Sequence, residues 1–358
     1  MRRDSDNLTA NIGFVGSELN TTYLNEFCNT PVNVYTSDFS AGGDVLNQVN
    51  VAATNGETIN GVDDAYKIET TSTGSPILHQ VLKDSQNENA DFTISFDYYI
   101  PSTNTVVNQI QVGFVGGTGT TFVGGLNSWN SVNLNFSTTT SGNLFFRPAI
   151  GTNIIFDAPG ELFYLKNMVV TQTSAANGYV TKWYDQSGNS NDAIQTIASS
   201  QAKIFDSVIG VITEFGKPAI QFNGTTQWLD TGYTTSQFSQ MFCVNNIISD
   251  TVVSFSSAVQ LLFDRYNTID DDVVFSANDG LFTVDNINVK GYRNSIDETG
   301  SATVFTQTFN RLYIGSLNGT SGFAQGTITE LIIYPFANDQ SSNRTGIETN
   351  INDFYSIY

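Results

Sequence analysis

The sequence predicts an all-β protein made of two β-sandwiches, one of them inserted into the other. Short alternating or apolar runs recur between clusters of Gly, Asn, Ser and Thr, which is the pattern of strands joined by polar turns. Helical periodicity is almost absent. The chain of 358 residues, 12% of them aromatic and only 13% charged, is also longer than one typical domain. Two packed β-domains are therefore expected.

Strands are predicted where alternation is clearest, and helices where apolar residues recur at helical spacing. The predicted strands are residues 92–100, 109–115, 131–136, 144–150, 163–171, 219–222, 252–255, 272–277, 282–284, 311–314 and 326–334. One predicted helix covers residues 21–28, with Thr21 as its N-cap, and a second lies within residues 339–355. A few short helices on a β-scaffold are expected.

The middle of the chain, residues 32–171, has the features of a separate domain. It begins and ends with strand-like runs, and its roughly 140 residues match the size of one eight-stranded jelly roll. The terminal strands of such a sandwich lie side by side, which suits insertion into a host domain. The polar segments 29–31 and 172–178 would be the linkers. The host is then predicted to combine residues 1–30 with residues 177–358.

Charge and residue inventory exclude several classes of protein. With 14 Lys and Arg against 34 Asp and Glu, the net charge is −20, so a nucleic-acid partner is excluded. One histidine, His79, and two cysteines cannot form a histidine-based zinc site or a four-cysteine cluster. His79 is expected to be an ordinary surface or strand residue. No apolar run is long enough to span a membrane, and no signal-like segment follows Met1.

One motif carries a family resemblance. The segment Trp183-Tyr-Asp-Gln-Ser-Gly188, together with its flanks and residues 201–204 and 216–224, resembles the catalytic domain of α-L-arabinofuranosidase B, which belongs to glycoside hydrolase family 54. Residues 2–7, 12–15 and 27–28 are similar to the part of that domain that precedes the motif. The resemblance implies a concanavalin A-like, laminin-G-like host. The insert resembles carbohydrate-binding modules, and the whole arrangement is similar to parts of bacteriophage tail and virion proteins.

The same resemblance implies that the chain is not an enzyme. Glu330 stands where the family has its nucleophile, but the stretch Gly315-Ser-Leu-Asn-Gly319, which matches the motif of the family's acid, contains no carboxylate. Without a general acid, the leaving group has no proton donor. Glu330 is therefore interpreted as a structural residue, the alternative being a catalytic one. Cys28 and Cys243 are expected to be free and buried.

Glycan binding would need aromatic faces next to amide and carboxylate groups. The candidates are Trp129, Tyr98, Tyr99, Phe145 and Phe146 in the insert, and Trp228 and Tyr233 in the host. Trp129 and Trp228 have the most polar neighbours in the sequence, whereas most aromatic residues of a sandwich belong to its core.

Two acidic segments are also candidates. Asp270-Asp271-Asp272 offers hard oxygen ligands that suit Ca²⁺, although an exposed acidic loop is the more common role of such a run. Asp185 and Gln186 belong either to a structural turn or to a ligand site. No other cofactor is expected.

The function predicted from these features is that of a non-enzymatic bacteriophage virion appendage, such as a spike, a head fibre or a tail protein. It would lie on the virion surface, bind other virion proteins and host cell-surface glycan, and form a homo-oligomer, most simply a trimer. The alternatives are an arabinofuranosidase-like hydrolase that acts through Glu330, and a secreted glycan-binding lectin.

Overall fold

The fold is all-β, as predicted. The computed structural model describes residues 1–16, 18–42, 46–71, 77–81, 90–118, 120–154, 158–233, 238–249, 253–255, 279–288, 290–297, 311–317 and 319–358. The acidic run Asp270–Asp272 and the strand predicted at residues 272–277 lie outside these ranges. None of the described helices is long and apolar enough to cross a membrane.

Strands dominate the first half of the chain. The N-terminal segment contains β1 (Arg2–Arg3), β2 (Phe14–Val15), β3 (Glu18–Leu19) and helix α1 (Thr21–Asn29). The middle of the chain contains β4 (Val32–Ser37), β5 (Asn47–Val49), β6 (Val51–Ile59), β7 (Val62–Thr70), β8 (Ile77–Val81), β9 (Ala90–Tyr99), β10 (Gln109–Thr118), β11 (Thr120–Gly124), β12 (Asn130–Ile150), β13 (Asn153–Ile154) and β14 (Leu162–Gln172).

The remainder contains β15 (Gly178–Tyr179), β16 (Lys182–Trp183), β17 (Ala193–Ile194), β18 (Lys203–Asp206), β19 (Gly210–Val211), β20 (Thr213–Glu214), β21 (Lys217–Pro218), β22 (Ile220–Asn223), β23 (Leu229–Asp230), β24 (Phe238–Ser249), β25 (Val253–Phe255), β26 (Asp279–Asp285), β27 (Lys290–Arg293), β28 (Ile296–Asp297), β29 (Leu312–Ile314), β30 (Gln325–Pro335) and helix α2 (Arg344–Tyr355). Short 3₁₀ turns cover Ala198–Ser200 and Ser341–Asn343.

The chain divides into two compact units. Unit 1 consists of Met1–Arg3, Leu8–Phe27 and Asn177–Tyr358, and unit 2 consists of Asp4–Asn7 and Cys28–Ala176. Unit 1 is thus built from segments that are far apart in the sequence. The boundaries expected from the sequence are residues 30 and 177.

Unit 2 is a sandwich of two layers that share one strand. The first half of β12 pairs with β9 in a layer ordered β12-β9-β14-β7-β6, and its second half pairs with β10 and β8 in the other layer. Alternate residues of both layers, among them Phe96, Phe146 and Phe163, fill one buried apolar core. The sequence predicts two strands, 131–136 and 144–150. The extended backbone continues between them because Ser137 and Thr138 still pair with β9 and β10.

Unit 1 places a core between a ten-stranded and a five-stranded sheet. Among the described residues, the larger sheet has the order β1-β15-β18-β22-β30-β24-β26-β27-β28, with β19 as its tenth strand paired to β18, and the smaller has the order β16-β17-β23-β29-β25. Strand β24 is apolar on both faces: Met241 and Cys243 face the core, while Phe242 and Val244 pack under α2. A central strand covered on both sides is expected to show this continuous apolar pattern.

The two predicted helices are present with small corrections. Asn20, and not Thr21, caps α1, because its Oδ1 accepts the backbone N–H of Tyr23 at 3.0 Å. Within the segment predicted at 339–355, the α-helix begins at Arg344 after a 3₁₀ turn. Helix α2 buries Ile351 and Tyr355 against the large sheet, whereas Phe354 is 37% exposed.

Candidate functional site

The side of one layer of unit 2 that points away from the core carries a largely buried cluster that we name the Arg147 face: Gln109, Gln111, Phe145 and Arg147. On β10 and β12 the alternate residues, such as Ile110, Val112 and Phe146, point into the core, so these four point away from it. Gln111 lies directly opposite Arg147 in the register of the two strands, and Gly113 lies opposite Phe145. The four side chains are therefore immediate neighbours.

Phe145 orients Arg147. The guanidinium carbon of Arg147 lies 4.4 Å from the centroid of the Phe145 ring, and the ring is only 4% exposed. The ring fits because residue 113 is a glycine: a Cβ there would come within 2.9 Å of the Phe145 Cζ. Phe145 therefore offers no free face to a ligand, and its role is to hold the guanidinium in place.

Three buried polar atoms of the Arg147 face lack partners among the described residues. Gln109 Oε1, Gln111 Oε1 and Arg147 Nε are all buried without a hydrogen bond within the part of the chain that the structure describes. Gln111 is only 8% exposed, and burial lowers the pKa of the Arg147 guanidinium. Each unpartnered buried group costs about 1–3 kcal/mol. Two acceptors and one donor at adjacent positions match the hydroxyl group, which both donates and accepts.

The opposite layer of unit 2 carries the predicted residue Trp129. Together with Tyr99 and Tyr164 it forms what we name the Trp129 face. The Trp129 and Tyr99 ring centroids are 5.7 Å apart, and those of Tyr99 and Tyr164 are 6.0 Å apart. Trp129 is half-buried and its Nε1 donates to the Ile59 carbonyl oxygen at 3.4 Å. The ring thus covers a small second apolar cluster and leaves part of its surface in solvent.

Beyond Trp129, the same sheet face is lined by small polar side chains that bond to one another. Thr93 Oγ1 donates to Asn135 Oδ1 at 2.9 Å, and Asn167 Nδ2 donates to Asp97 Oδ2 at 2.7 Å. Ser131 Oγ also donates to Asp97. These pairs satisfy each other across the strands. The Trp129 face therefore differs from the Arg147 face, where the polar atoms have no partners among the described residues.

The other predicted aromatic residues are dispersed. Tyr98 is 3% exposed in the main core of unit 2, and its hydroxyl donates to the Gly124 carbonyl oxygen at 2.7 Å, so its ring offers no face to a ligand. In unit 1, Trp228 is half-buried with its ring centroid 5.5 Å from that of Tyr313. Tyr233 packs separately against the core of unit 1. The predicted residues thus do not form a single site.

Two further predicted aromatic residues lie on opposite sides of β12. Phe146 is fully buried in the core, whereas Phe145 belongs to the Arg147 face. The position of His79 is on β8, where its strand partners are Phe145 and Asn47. The expectation for Cys28 and Cys243 is confirmed: both are buried and neither forms a disulfide.

Glu330 is half-buried in the large sheet of unit 1, and no carboxylate of the described residues interacts with it. Burial raises its pKa, and its carboxyl group is hydrogen-bonded to the side chain of Tyr355 on α2. Its strand neighbour is Val244, on the α2 side of the large sheet. A retaining glycosidase needs a second carboxyl group about 5–5.5 Å away. None of the described carboxylates is among the groups that shift the Glu330 pKa.

The Asp185 motif forms a self-contained turn. Asp185 Oδ1 accepts the Ser187 N–H at 2.8 Å, and Oδ2 accepts the Asn191 N–H at 2.9 Å. Burial would raise the pKa of Asp185, but these hydrogen bonds outweigh it and lower the pKa. Gln186 Nε2 donates to the Tyr184 carbonyl oxygen. Both side chains thus hold the turn, and in the described ranges no group of three His, Cys, Asp or Glu residues could bind a metal ion.

Sequence reasoning missed Gln109, Gln111 and Arg147. In the sequence they are the polar members of alternating runs, and solvent exposure is the normal fate of such residues. Their burial arises only when β10 and β12 pair. The one available signal was Gly113, an unusual residue inside a strand, which often marks a close approach of another group.

No protein-family model and no curated protein matches the sequence. Among solved structures, the chain is similar to the CBM22-1 xylan-binding domain of Xyn10C from Paenibacillus barcinonensis, with 11% identity and a TM-score of 0.29 over 41% of this chain and 99% of that chain. It is also similar to the CBM22-1–CBM22-2 tandem domain of the same protein, with 9% identity and a TM-score of 0.31 over 88% of this chain and 92% of that chain.

A variant of the module CBM29-2 in complex with cellulohexaose shares 11% identity and a TM-score of 0.27 over 40% of this chain and 91% of that chain. These proteins are carbohydrate-binding modules by description. At TM-scores this low, the similarity gives no information about a ligand of this chain.

Proposed function

We propose that unit 2 binds glycan through the Arg147 face. The observation that carries the proposal is the set of three buried, unpartnered atoms, Gln109 Oε1, Gln111 Oε1 and Arg147 Nε, on one sheet surface of the described structure. Because these atoms have almost no contact with solvent in the free protein, the side chains must turn outward on binding, and sugar hydroxyls can then supply the hydrogen bonds that the atoms lack. Adjacent hydroxyls of one sugar ring supply donors for the two amide oxygens and an acceptor for the guanidinium.

Binding to an array of immobilised neutral oligosaccharides, followed by calorimetric titration of the best ligand, tests this proposal. Gln111→Met keeps the side-chain volume and removes the polar atoms. We expect it to weaken binding about three- to ten-fold, and Arg147→Met to weaken it roughly ten- to hundred-fold. The matched control is Gln221→Met, because Gln221 is an exposed strand residue of unit 1.

The stability of Gln111→Met separates a binding role from a structural one. Because the wild-type oxygen is buried without a described partner, its removal should leave the free energy of unfolding unchanged or raise it. Weaker binding in a variant of equal or greater stability supports the proposal. Full glycan affinity in both variants would refute it, and so would a loss of stability that accounts for the lost binding.

The Trp129 face remains a second proposed contact surface on the same unit. Its support is the part of the indole that stays in solvent on the sheet face that also carries Ser131, Asp97 and Asn167. Trp129→Ala should weaken glycan adsorption several-fold with little change of melting temperature if the ring stacks on sugar. A large drop in melting temperature with unchanged adsorption per folded molecule would assign Trp129 to the cluster around Tyr99.

The wider role that we propose is that of a non-enzymatic bacteriophage virion appendage on the virion surface, with other virion proteins and host glycan as partners. Its support is the sequence resemblance and the net charge of −20. The chain should form a homo-oligomer, with a trimer expected. A stable monomer at micromolar concentration, measured by light scattering, would count against this role and would favour the alternative of a secreted lectin.

The absence of catalysis is part of the same proposal. The environment of Glu330, which is half-buried and hydrogen-bonded to Tyr355, supports a structural role. Incubation with an aryl arabinofuranoside should release no aryl alcohol above the background rate. Hydrolysis that Glu330→Gln abolishes would establish the hydrolase alternative.

A further inference from the structure

Unit 1 contains a cavity of about 160 Å³ that none of the predicted binding residues lines. Its walls come from the β2–β3 hairpin, from Trp183 and Tyr184, from Lys217 and Pro218, and from the C-terminal end of α2. All of these segments belong to unit 1. These segments are distant in the sequence and come together only in the folded unit.

The lining is dominated by apolar groups. Leu19, Ile220 and Ile328 line the cavity together with the indole of Trp183. Three further lining rings remain strongly exposed at its opening: Phe14 is 46% exposed, Tyr184 41% and Phe354 37%. Exposed aromatic side chains gathered around one opening are unusual for a surface without a partner.

The two lysines of the lining are already paired with carboxylates. Lys217 Nζ lies 2.6 Å from Glu18 Oε1 and 4.1 Å from the centroid of the Phe354 ring. Lys182 Nζ lies 3.0 Å from Asp192 Oδ2, and this hydrogen bond raises the pKa of Lys182. Both lysines of the lining are thus paired, and a bound anion would have to compete with a carboxylate for either of them.

Two hydroxyl groups of the lining are occupied as well, and the first is that of Thr329, whose Oγ1 donates to the Val244 carbonyl oxygen at 3.0 Å. Tyr355 lines the cavity, and its hydroxyl is hydrogen-bonded to Glu330 behind it. A ligand thus meets mainly aromatic and aliphatic surface, together with the paired lysines and the polar groups of Met1, Thr329 and Tyr355. An apolar cavity of about 150 Å³ accommodates one benzene ring.

We propose that the cavity beside Trp183 binds the ring of a small, uncharged aromatic molecule. The ring enters between Phe14 and Phe354 and packs against Trp183. The rim lysines contribute through their alkyl stems, since their ammonium groups are paired. This site is independent of glycan binding by unit 2, so each proposal can fail without the other.

Titration of the full ¹⁵N-labelled chain with fluorobenzene, observed through the indole N–H signals, tests the proposal. The chain has three tryptophans, and of these Trp183 lines the cavity, so Trp129 and Trp228 are internal controls. We expect a saturable shift of the Trp183 signal alone. Because the lysines of the lining are paired, benzoate should bind at least about ten-fold more weakly than fluorobenzene.

Two neighbouring residues of one hairpin give matched variants. Phe14 lines the cavity, whereas Val15, which is 67% exposed, does not. Phe14→Ala should weaken fluorobenzene binding about two- to ten-fold, the size of one lost ring contact, and Val15→Ala should leave it unchanged. Both side chains are exposed enough for the variants to fold.

Three results would overturn the proposal: no shift of the Trp183 signal, equal non-saturable shifts of all three indole signals, or tighter binding of benzoate than of fluorobenzene. Equal effects of the two hairpin variants would also overturn it, since they would show that the cavity wall is not what the ligand contacts.

Discussion

Replacing Glu161 by Gln should destabilise unit 2, because this carboxylate organises a whole turn. Glu161 is 5% exposed. Its Oε1 accepts from Thr105 N at 2.9 Å and from Thr105 Oγ1 at 2.6 Å, and its Oε2 accepts from Val106 N at 3.0 Å and from Val107 N at 2.7 Å. One side chain therefore satisfies every one of these donors, and no neutral residue can accept from all of them.

The size of the effect follows from this geometry. An amide keeps one accepting oxygen and replaces the other by an NH₂ group, so the donors on one side of the carboxylate face another donor. The donors on the other side lose the charge of their acceptor. Hydrogen bonds to charged groups contribute about 1.5–3 kcal/mol, against roughly 0.5–1.5 kcal/mol for neutral ones. With partial relaxation of the turn, the loss should be about 2–4 kcal/mol.

Urea unfolding of the full chain, combined with hydrogen exchange of the amides of residues 105–107, measures this loss. Those amides should exchange faster in Glu161→Gln than in the wild type. Glu69→Gln is the control, because Glu69 is 43% exposed and its partner is Lys67 in a surface ion pair. A change of about 0–1 kcal/mol is expected there.

The pH dependence gives a second, independent readout. Burial alone would raise the pKa of Glu161, but the hydrogen bonds from residues 105–107 outweigh it and lower the pKa below its ordinary value of 4.5. The stabilisation is therefore complete above about pH 4.5 and is lost as the pH falls through the lowered pKa. The stability gap between wild type and Glu161→Gln should narrow on acidification. A gap below about 0.5 kcal/mol at neutral pH, or one independent of pH, would refute the reasoning.

Two further predictions concern unit 1. Gly326 has φ +138°, and a Cβ there would lie 2.1 Å from the Asn246 carbonyl oxygen. Gly326→Ala should therefore lower the free energy of unfolding, measured in urea, by roughly 3 kcal/mol or more. In α2, a Cβ at Gly346 would meet nothing within 4 Å, so Gly346→Ala should raise the free energy of unfolding by about 0.5–1 kcal/mol. Cys243 is fully buried, and burial raises the pKa of its thiol to about 12, so iodoacetamide at about pH 8 should modify it only after unfolding; rapid modification of the folded chain would contradict its placement.

Strands whose alternation is undisturbed are the ones that the sequence predicts best. Strand β9 is expected at residues 92–100 because Phe92, Ile94 and Phe96 alternate with polar residues, and all three lie in the core. Strand β7 is not predicted. Only two of its residues, Tyr66 and Ile68, point into the main core of unit 2, so the sequence shows little alternation. Asp64 has a φ of +60°, a backbone conformation that is common in turns. Hydrogen bonds to β14 and β6, on its two sides, stabilise β7 as a strand although its local sequence does not favour one.

The candidate site is harder to predict from the sequence than the fold is. Trp129 is identified from its polar neighbours, and it does lie at the surface of a sheet. Gln111 and Arg147 are distant in the sequence and become neighbours only through the register of β10 and β12. A polar residue that alternates with apolar ones normally faces water, so no local pattern distinguishes a buried, unpartnered glutamine from an exposed one.

The discontinuity of unit 1 imposes an order on folding. Its first strand pairs Arg2 with Tyr179 and Arg3 with Gly178, so the sheet begins by closing a very long loop. For a flexible loop of about 175 residues, this closure costs roughly 4–5 kcal/mol in chain entropy. Folding of unit 2 removes most of that cost, because it brings its own ends together: Asn33 pairs with Thr171, and Ala176 N donates to the Cys28 carbonyl oxygen at 2.9 Å.

During synthesis, unit 2 is also complete before most of unit 1 has been made, since domains fold as units as the chain is made from its N-terminus. Once unit 2 is folded, its two ends lie close together, so the N-terminal segment is already near the point from which β15 is made. A substitution that slows or destabilises the insert is therefore expected to appear as slower assembly of the host, although no residue of the host has changed.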